Sequence, residues 1–132
     1  MNAATWLRRL LTVGAVLEGL AGLGLLLIPS EMIALLLGSP LEANGVVVAR
    51  LAGGGLLGLA VACFAAREMP LGQTGLGASV ALLIYNVIAC AVLAGTGRAV
   101  SGRGLLVGGA AVLHGVLAVG LLGALAGRRG YA

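Results

Sequence analysis

The chain has 132 residues, 61% of them hydrophobic and 9% charged, with a mean hydropathy of +1.16, where a soluble domain averages roughly 25% charged. So few polar side chains cannot cover a water-soluble fold of this length, which leaves a single membrane domain over residues 1–132 with lipid as its solvent. The net charge of +4 comes from eight Arg and no Lys, most of them at or beyond the ends of apolar runs, where cations meet lipid headgroups; no Arg interleaves with aromatics on a polar surface, so nucleic acid is not an expected partner.

A hydrocarbon core of roughly 30 Å takes about 20 apolar residues as helix, and four runs are long enough: about 10–28, 46–66, 76–95 and 104–126. Backbone groups in lipid must be satisfied within the segment, and the alternating pattern of a barrel strand is absent, so all four read as helices. The expected fold class is therefore all-α, a four-helix transmembrane bundle.

The first run follows Arg8 and Arg9, as a signal peptide would. No small-x-small cleavage site follows Leu25 to Ile28, and Glu18 interrupts the apolar stretch, so it reads as a retained helix. Next, Pro29-Ser30-Glu31 reads as a helix start, with Ser30 as the cap and Glu31 in the first turn, and Gly38-Ser39-Pro40 as its end. The apolar residues between them are too few to cross, which predicts a short interfacial helix over about 31–37 or a cover for the bundle.

The second run carries Arg50, the third Tyr85 and Asn86, and the fourth His114. Arg8, Arg9, Arg67, Arg128 and Arg129 fall on one side and only Arg98 and Arg103 on the other. The positive-inside rule then places both termini in the cytoplasm of a cell whose inner (plasma) membrane holds the protein, with Trp6 and Tyr131 as interfacial anchors.

Glycine occurs 24 times, and Gly54–Gly58, Gly104–Gly108 and Gly123–Gly127 have the GxxxG spacing that lets helices approach. Small residues also flank each polar group at one helical turn: Gly14 and Gly22 around Glu18, Gly53 and Gly54 beside Arg50, Ala89 and Cys90 beside Asn86, Ala110, Ala111 and Ala118 around His114. This pattern predicts that each span turns one polar group into the bundle. Glu18, Asn86 and His114 fall near mid-depth, with Arg50 entering about one turn from the outer side. A lone carboxylate at the bilayer centre costs about 2.5–3.5 kcal/mol, so Glu18 needs a partner or a proton, and Arg50 is the expected partner through a bidentate guanidinium.

Two readings of the cluster stand. In one, Glu18 and Arg50 form a structural brace and Tyr85, Asn86 and His114 are satisfied by neighbours. In the other, Glu18, Arg50, Tyr85, Asn86 and His114 line a polar cavity that binds a small ligand or relays protons.

Cys63 and Cys90 lie in separate apolar runs with no CxxC, and read as small packing residues. A single His cannot complete a haem or metal site within one chain, although two His114 residues across a homodimer could. No nucleophile–base set and no phosphate loop is present, so no metal and no catalytic residue is assigned, and the cofactor, if any, is unknown.

Glu18-Gly19 with an apolar run to Pro29, Leu36-Leu37-Gly38, Ala49-Arg50-Leu51-Ala52-Gly53 leading to Ala62-Cys63, Tyr85-Asn86-Val87 and Leu113-His114 together resemble small bacterial four-helix membrane proteins of no assigned activity. In helix count and size the chain is also similar to DoxX-like proteins, some of which are associated with quinone or redox membrane complexes. Three functions follow as expectations. The first is a non-catalytic bundle in the lipid bilayer that acts as partner or accessory subunit of another membrane protein or complex, with a homo-oligomer as the other expected assembly. The second is a path or site for a small ligand or proton, and the third a quinone or haem subunit.

Overall fold

A computed structural model describes residues 2–99 and 104–127, with side chains for 2–96 and 106–127. The side chains of Arg98 and Arg103, and Arg128, Arg129 and Tyr131 entirely, lie outside the described residues. The described chain is all α: α1 (Ala3–Leu27), α2 (Pro29–Leu37), α3 (Ala43–Ala66), α4 (Gln73–Ala99) and α5 (Gly104–Gly127). Of these, α1, α3, α4 and α5 are long and apolar enough to cross a membrane, and α2 is the short helix between the first two.

The helices outrun the apolar windows mainly at their starts. α1 begins at Ala3 because Asn2 caps it, its side-chain oxygen accepting from the Thr5 N–H at 2.9 Å. Hydropathy marks where charge begins, not where backbone hydrogen bonding ends, so Arg8 and Arg9 lie within α1. Pro29 cannot continue α1 and instead opens α2 at its first position, where its missing N–H is no loss. Ser30 therefore stands inside the helix and no side chain caps α2, contrary to expectation. Glu31 does fall in the first turn, and Gly38 ends the helix with φ 80°, its N–H bonded to the Ala34 carbonyl at 2.7 Å. That left-handed backbone is the conformation for which glycine has no steric penalty.

The long helices form a closed ring in the order α1, α3, α4, α5, with α1–α3 and α4–α5 the most extensive pairings. α1 and α3 run antiparallel. At one end Arg8 Nη2 meets Glu68 Oε2 at 3.3 Å; towards the other, Gly22 and Gly53 face each other so closely that a Cβ on either would stand 2.8 Å from the other's carbonyl oxygen. Trp6 ties α1 to α5 by donating its indole N–H to the Gly120 carbonyl at 3.3 Å. α2 lies back against α1, with Met32 over Gly24.

Leucines fill the half of the bundle nearer Arg8. Leu7, Leu11, Leu82 and Leu121 are fully buried there with Cys63, Ala66, Ala78 and Ala124 around them. Gly54, Gly58, Gly108, Gly123 and Gly127, by contrast, have nothing within 4 Å of a Cβ position. These GxxxG glycines therefore face out of the bundle, and the close helix approach falls at Gly22 and Gly53 instead.

Candidate functional site

The polar groups gather just beyond the leucine-filled half. On α1 the buried stripe Leu7, Leu11, Gly14, Glu18, Gly22 repeats every three or four residues, the spacing of one helix face. Glu18 is carried inward by that periodicity and is 2% exposed. On α3 the buried stripe is Ala49, Gly53, Leu56, Ala60, Cys63, Ala66, and Cys63 is fully buried with the Glu18 carboxyl as its electrostatic neighbour. α4 supplies Tyr85, half-buried, and Asn86, 0% exposed; α5 supplies His114, half-buried.

Asn86 organises the centre of the group. Its Nδ2 donates to the Leu82 carbonyl one turn back, at 2.8 Å, and its Oδ1 lies 2.8 Å from His114 Nδ1. The Leu82 carbonyl only accepts, so the amide must present nitrogen to it and oxygen to the imidazole. Oδ1 in turn only accepts, so Nδ1 carries the proton. In neutral His114 this leaves Nε2 as a free acceptor. The Tyr85 ring stands edge-on to the imidazole, centroids 5.6 Å apart at 82°, an arrangement favoured by ring quadrupoles. Tyr85 and the Glu18 carboxyl are electrostatic neighbours across the bundle, without a hydrogen bond between them that meets ordinary geometry.

Glu18, Tyr85, His114 and Asn86 thus form one series of neighbours from three helices, joined by a ring contact from Tyr85 to His114 and by hydrogen bonds from His114 through Asn86 to the backbone of α4. It is incomplete at Glu18, whose Oε1 is fully buried with no hydrogen-bond partner. Asn86 and His114 have their hydrogen bonds.

Arg50 is not part of it. The expected Glu18–Arg50 pair is not formed: Arg50 is exposed, and no ion pair joins the two. Two features of the packing separate them. The buried face of α3 runs through Ala49 and Gly53, and position 50 is rotated about 100° from 49 along a helix, towards the outside. The two groups also lie on opposite sides of the Gly22–Gly53 crossing, four residues away on α1 and three on α3, which at 1.5 Å per residue is about 10 Å along the bundle. The contact of Gly19 with Ala60 fixes this register, because moving from Gly22 towards Glu18 moves down α3, away from Arg50. Three of the four spans therefore send a charged or strongly polar group inward, and α3 sends Cys63.

Among the described residues no group of three or more His, Cys, Asp or Glu side chains is gathered as a metal site would require. Sequence reasoning read Cys63 only as packing. The signal that places it beside Glu18 is the recurrence of small residues at 49, 53, 60 and 63, which marks the inner face of α3. Ser79, also buried, is satisfied by the Gly75 carbonyl at 2.8 Å and faces no other polar side chain in a hydrogen bond.

Substituting Asn86 with Leu, similar in size, removes the acceptor from His114 Nδ1. Bundle stability is expected to fall by about 0.6–1.7 kcal/mol, the range for hydrogen bonds between membrane helices. Nitrogen NMR of the imidazole checks the assignment: the Nδ1–H tautomer of the parent protein should give way to a mixture with Nε2–H.

No protein-family model, curated protein or solved structure matches the chain. By its four long apolar helices it is a small multi-pass membrane protein.

Proposed function

We propose that the bundle interior is a site for a proton or a small hydrogen-bond-donating ligand, centred on Glu18 and extended by Tyr85, His114 and Asn86. The observation that carries this reading is the buried, unpartnered Oε1 of Glu18. A carboxyl kept as a structural brace would have its oxygens met by the protein, because an unmet buried acceptor costs about 1–3 kcal/mol. Here the fold supplies an oriented tyrosine and an imidazole of defined tautomer nearby and leaves one carboxyl oxygen open. A proton on that oxygen, or a donor group of a ligand, completes the series. Tyr85 and His114 Nε2 then offer the next donor and acceptor.

Arg50 is left outside this site. The membrane proposed is a bacterial inner membrane with both termini cytoplasmic; the grouping of Arg8, Arg9 and Arg67 at one end of the bundle supports that orientation.

Infrared difference spectroscopy of the reconstituted protein between two pH values, with proton uptake into vesicles loaded with a pH-sensitive dye, tests the reading. A titrating carboxyl band and a proton flux are expected, both lost in Glu18→Gln. A spectrum without that band, with a flux equal to protein-free vesicles, overturns it for protons.

A second reading, an accessory bundle packed against another membrane protein, is supported by the outer face of α3. There Gly54, Gly55 and Gly58 leave open space beside a helix backbone, the surface on which another membrane helix packs closely.

A further inference from the structure

At the end of α3 two guanidinium groups share one carboxylate. Arg8 Nη2 lies 3.3 Å from Glu68 Oε2 and 3.5 Å from Oε1, while Arg67 Nε lies 3.1 Å from Oε1. Arg67 is held in place from its other side, its guanidinium carbon 3.4 Å from the centroid of the Phe64 ring, a cation–π contact that orients the plane without neutralising it. Nε is committed to Glu68, Nη1 is enclosed by the protein with no hydrogen-bond partner, and Nη2 has no acceptor among the described residues, so Nη2 is the Arg67 donor left for a group from outside. Two cations therefore converge on one anion, and Arg67 keeps donors that the protein does not use.

The location decides what can use them. The pair stands where α3 ends and where α1 is about one and a half turns old, at the end of two membrane-spanning helices, where the chain meets lipid headgroups. Arg8 and Glu68 are each 57% exposed and Arg67 23%, so the cluster is open on its outer side and packed on its inner one. A phosphodiester has the charge and the paired oxygens that two guanidinium groups take most readily.

We propose that Arg8 and Arg67 form a binding site for the phosphodiester headgroup of an anionic membrane lipid, with Phe64 positioning Arg67 and Glu68 holding the two arginines together while competing with the lipid for their donors. The site is independent of the polar cluster inside the bundle.

Native mass spectrometry of the detergent-solubilised protein, titrated with phosphatidylglycerol and phosphatidylcholine of identical acyl chains, tests it. A preference for phosphatidylglycerol is expected. It should fall about fivefold in Arg8→Gln and again in Arg67→Gln, the size of one interfacial arginine's contribution. Arg50→Gln, which changes net charge equally at a distant position, should leave it unchanged. Glu68→Gln should raise it by removing the competing carboxylate, an outcome that a purely structural ion pair would not produce. Equal binding of the two lipids overturns the proposal, as does a preference that survives both arginine substitutions, falls in Arg50→Gln, or falls in Glu68→Gln. Loss of the preference in millimolar inorganic phosphate also overturns it, by assigning the site to a free anion.

Discussion

Replacing Glu18 with methionine is expected to make the bundle more stable, by about 2 kcal/mol, while abolishing proton or ligand binding. Methionine fills the space of the glutamate side chain without its charge, and a carboxylate near the middle of a spanning helix costs about 2.5–3.5 kcal/mol. Against that gain stands the loss of the Tyr85 contact, about 0.6 kcal/mol for an average polar contact between membrane helices. The sign is what matters. Glu18 Oε1 has no partner to lose, so the substitution removes an unmet group from a buried position. A residue kept against the interest of stability is the mark of a functional site. Reversible unfolding in bicelles measures the effect, and a loss of stability in Glu18→Met would make Glu18 a brace.

Gly53→Leu is expected to cost about 3 kcal/mol or to prevent assembly of α1 on α3. A Cβ at Gly53 would stand 2.8 Å from the Gly22 carbonyl oxygen and 3.1 Å from the Leu26 nitrogen. Both are backbone atoms, so no rotamer change relieves the overlap and the helices must part. The control lies one residue along the same helix. Gly54 has nothing within 4 Å, and Gly54→Leu should change stability by no more than about 0.5 kcal/mol, as at other outward positions. Gly14→Ala falls between the two, because the atoms nearest its added Cβ belong to the Leu82 side chain and not to backbone, although Leu82 is fully buried and must repack to make room. The same unfolding assay separates the three, and equal effects at Gly53 and Gly54 would remove the crossing from its central place in the fold.

The helices were legible in the sequence because lipid imposes a length and a composition that few other constraints mimic. Their ends were less so: Asn2 extends α1 through a local hydrogen bond that hydropathy cannot register, and Pro29 takes the first position of α2 that Ser30 was expected to cap. Within the site, Glu18, Asn86 and His114 could be assigned to inner faces because small residues one turn away mark where helices approach. Arg50 has the same kind of neighbours and yet points outward. Gly53 and Gly54 lie on different faces of α3, one against Gly22 and one in the open, and a glycine pair does not say which of its members faces the partner. Only the continued stripe through Leu56, Ala60 and Cys63 resolves it. The register of α1 on α3, which puts Arg50 and Glu18 on opposite sides of a crossing, depends on contacts between helices and has no local signature.

The ring of helices is also unequal. α1 clasps α3 and α4 clasps α5 more extensively than either pair holds the other, and the polar series crosses the weaker boundary, with Glu18 on one side and Tyr85, Asn86 and His114 on the other. The Asn86–His114 bond, internal to the α4–α5 pair, survives a slide of the two pairs past each other. The approach of Glu18 to Tyr85 lies across the boundary between the pairs, and a slip of one residue, about 1.5 Å, changes it. The chemical centre of the bundle thus sits on the seam between its two halves, and its α4–α5 side is the part joined by a side-chain hydrogen bond.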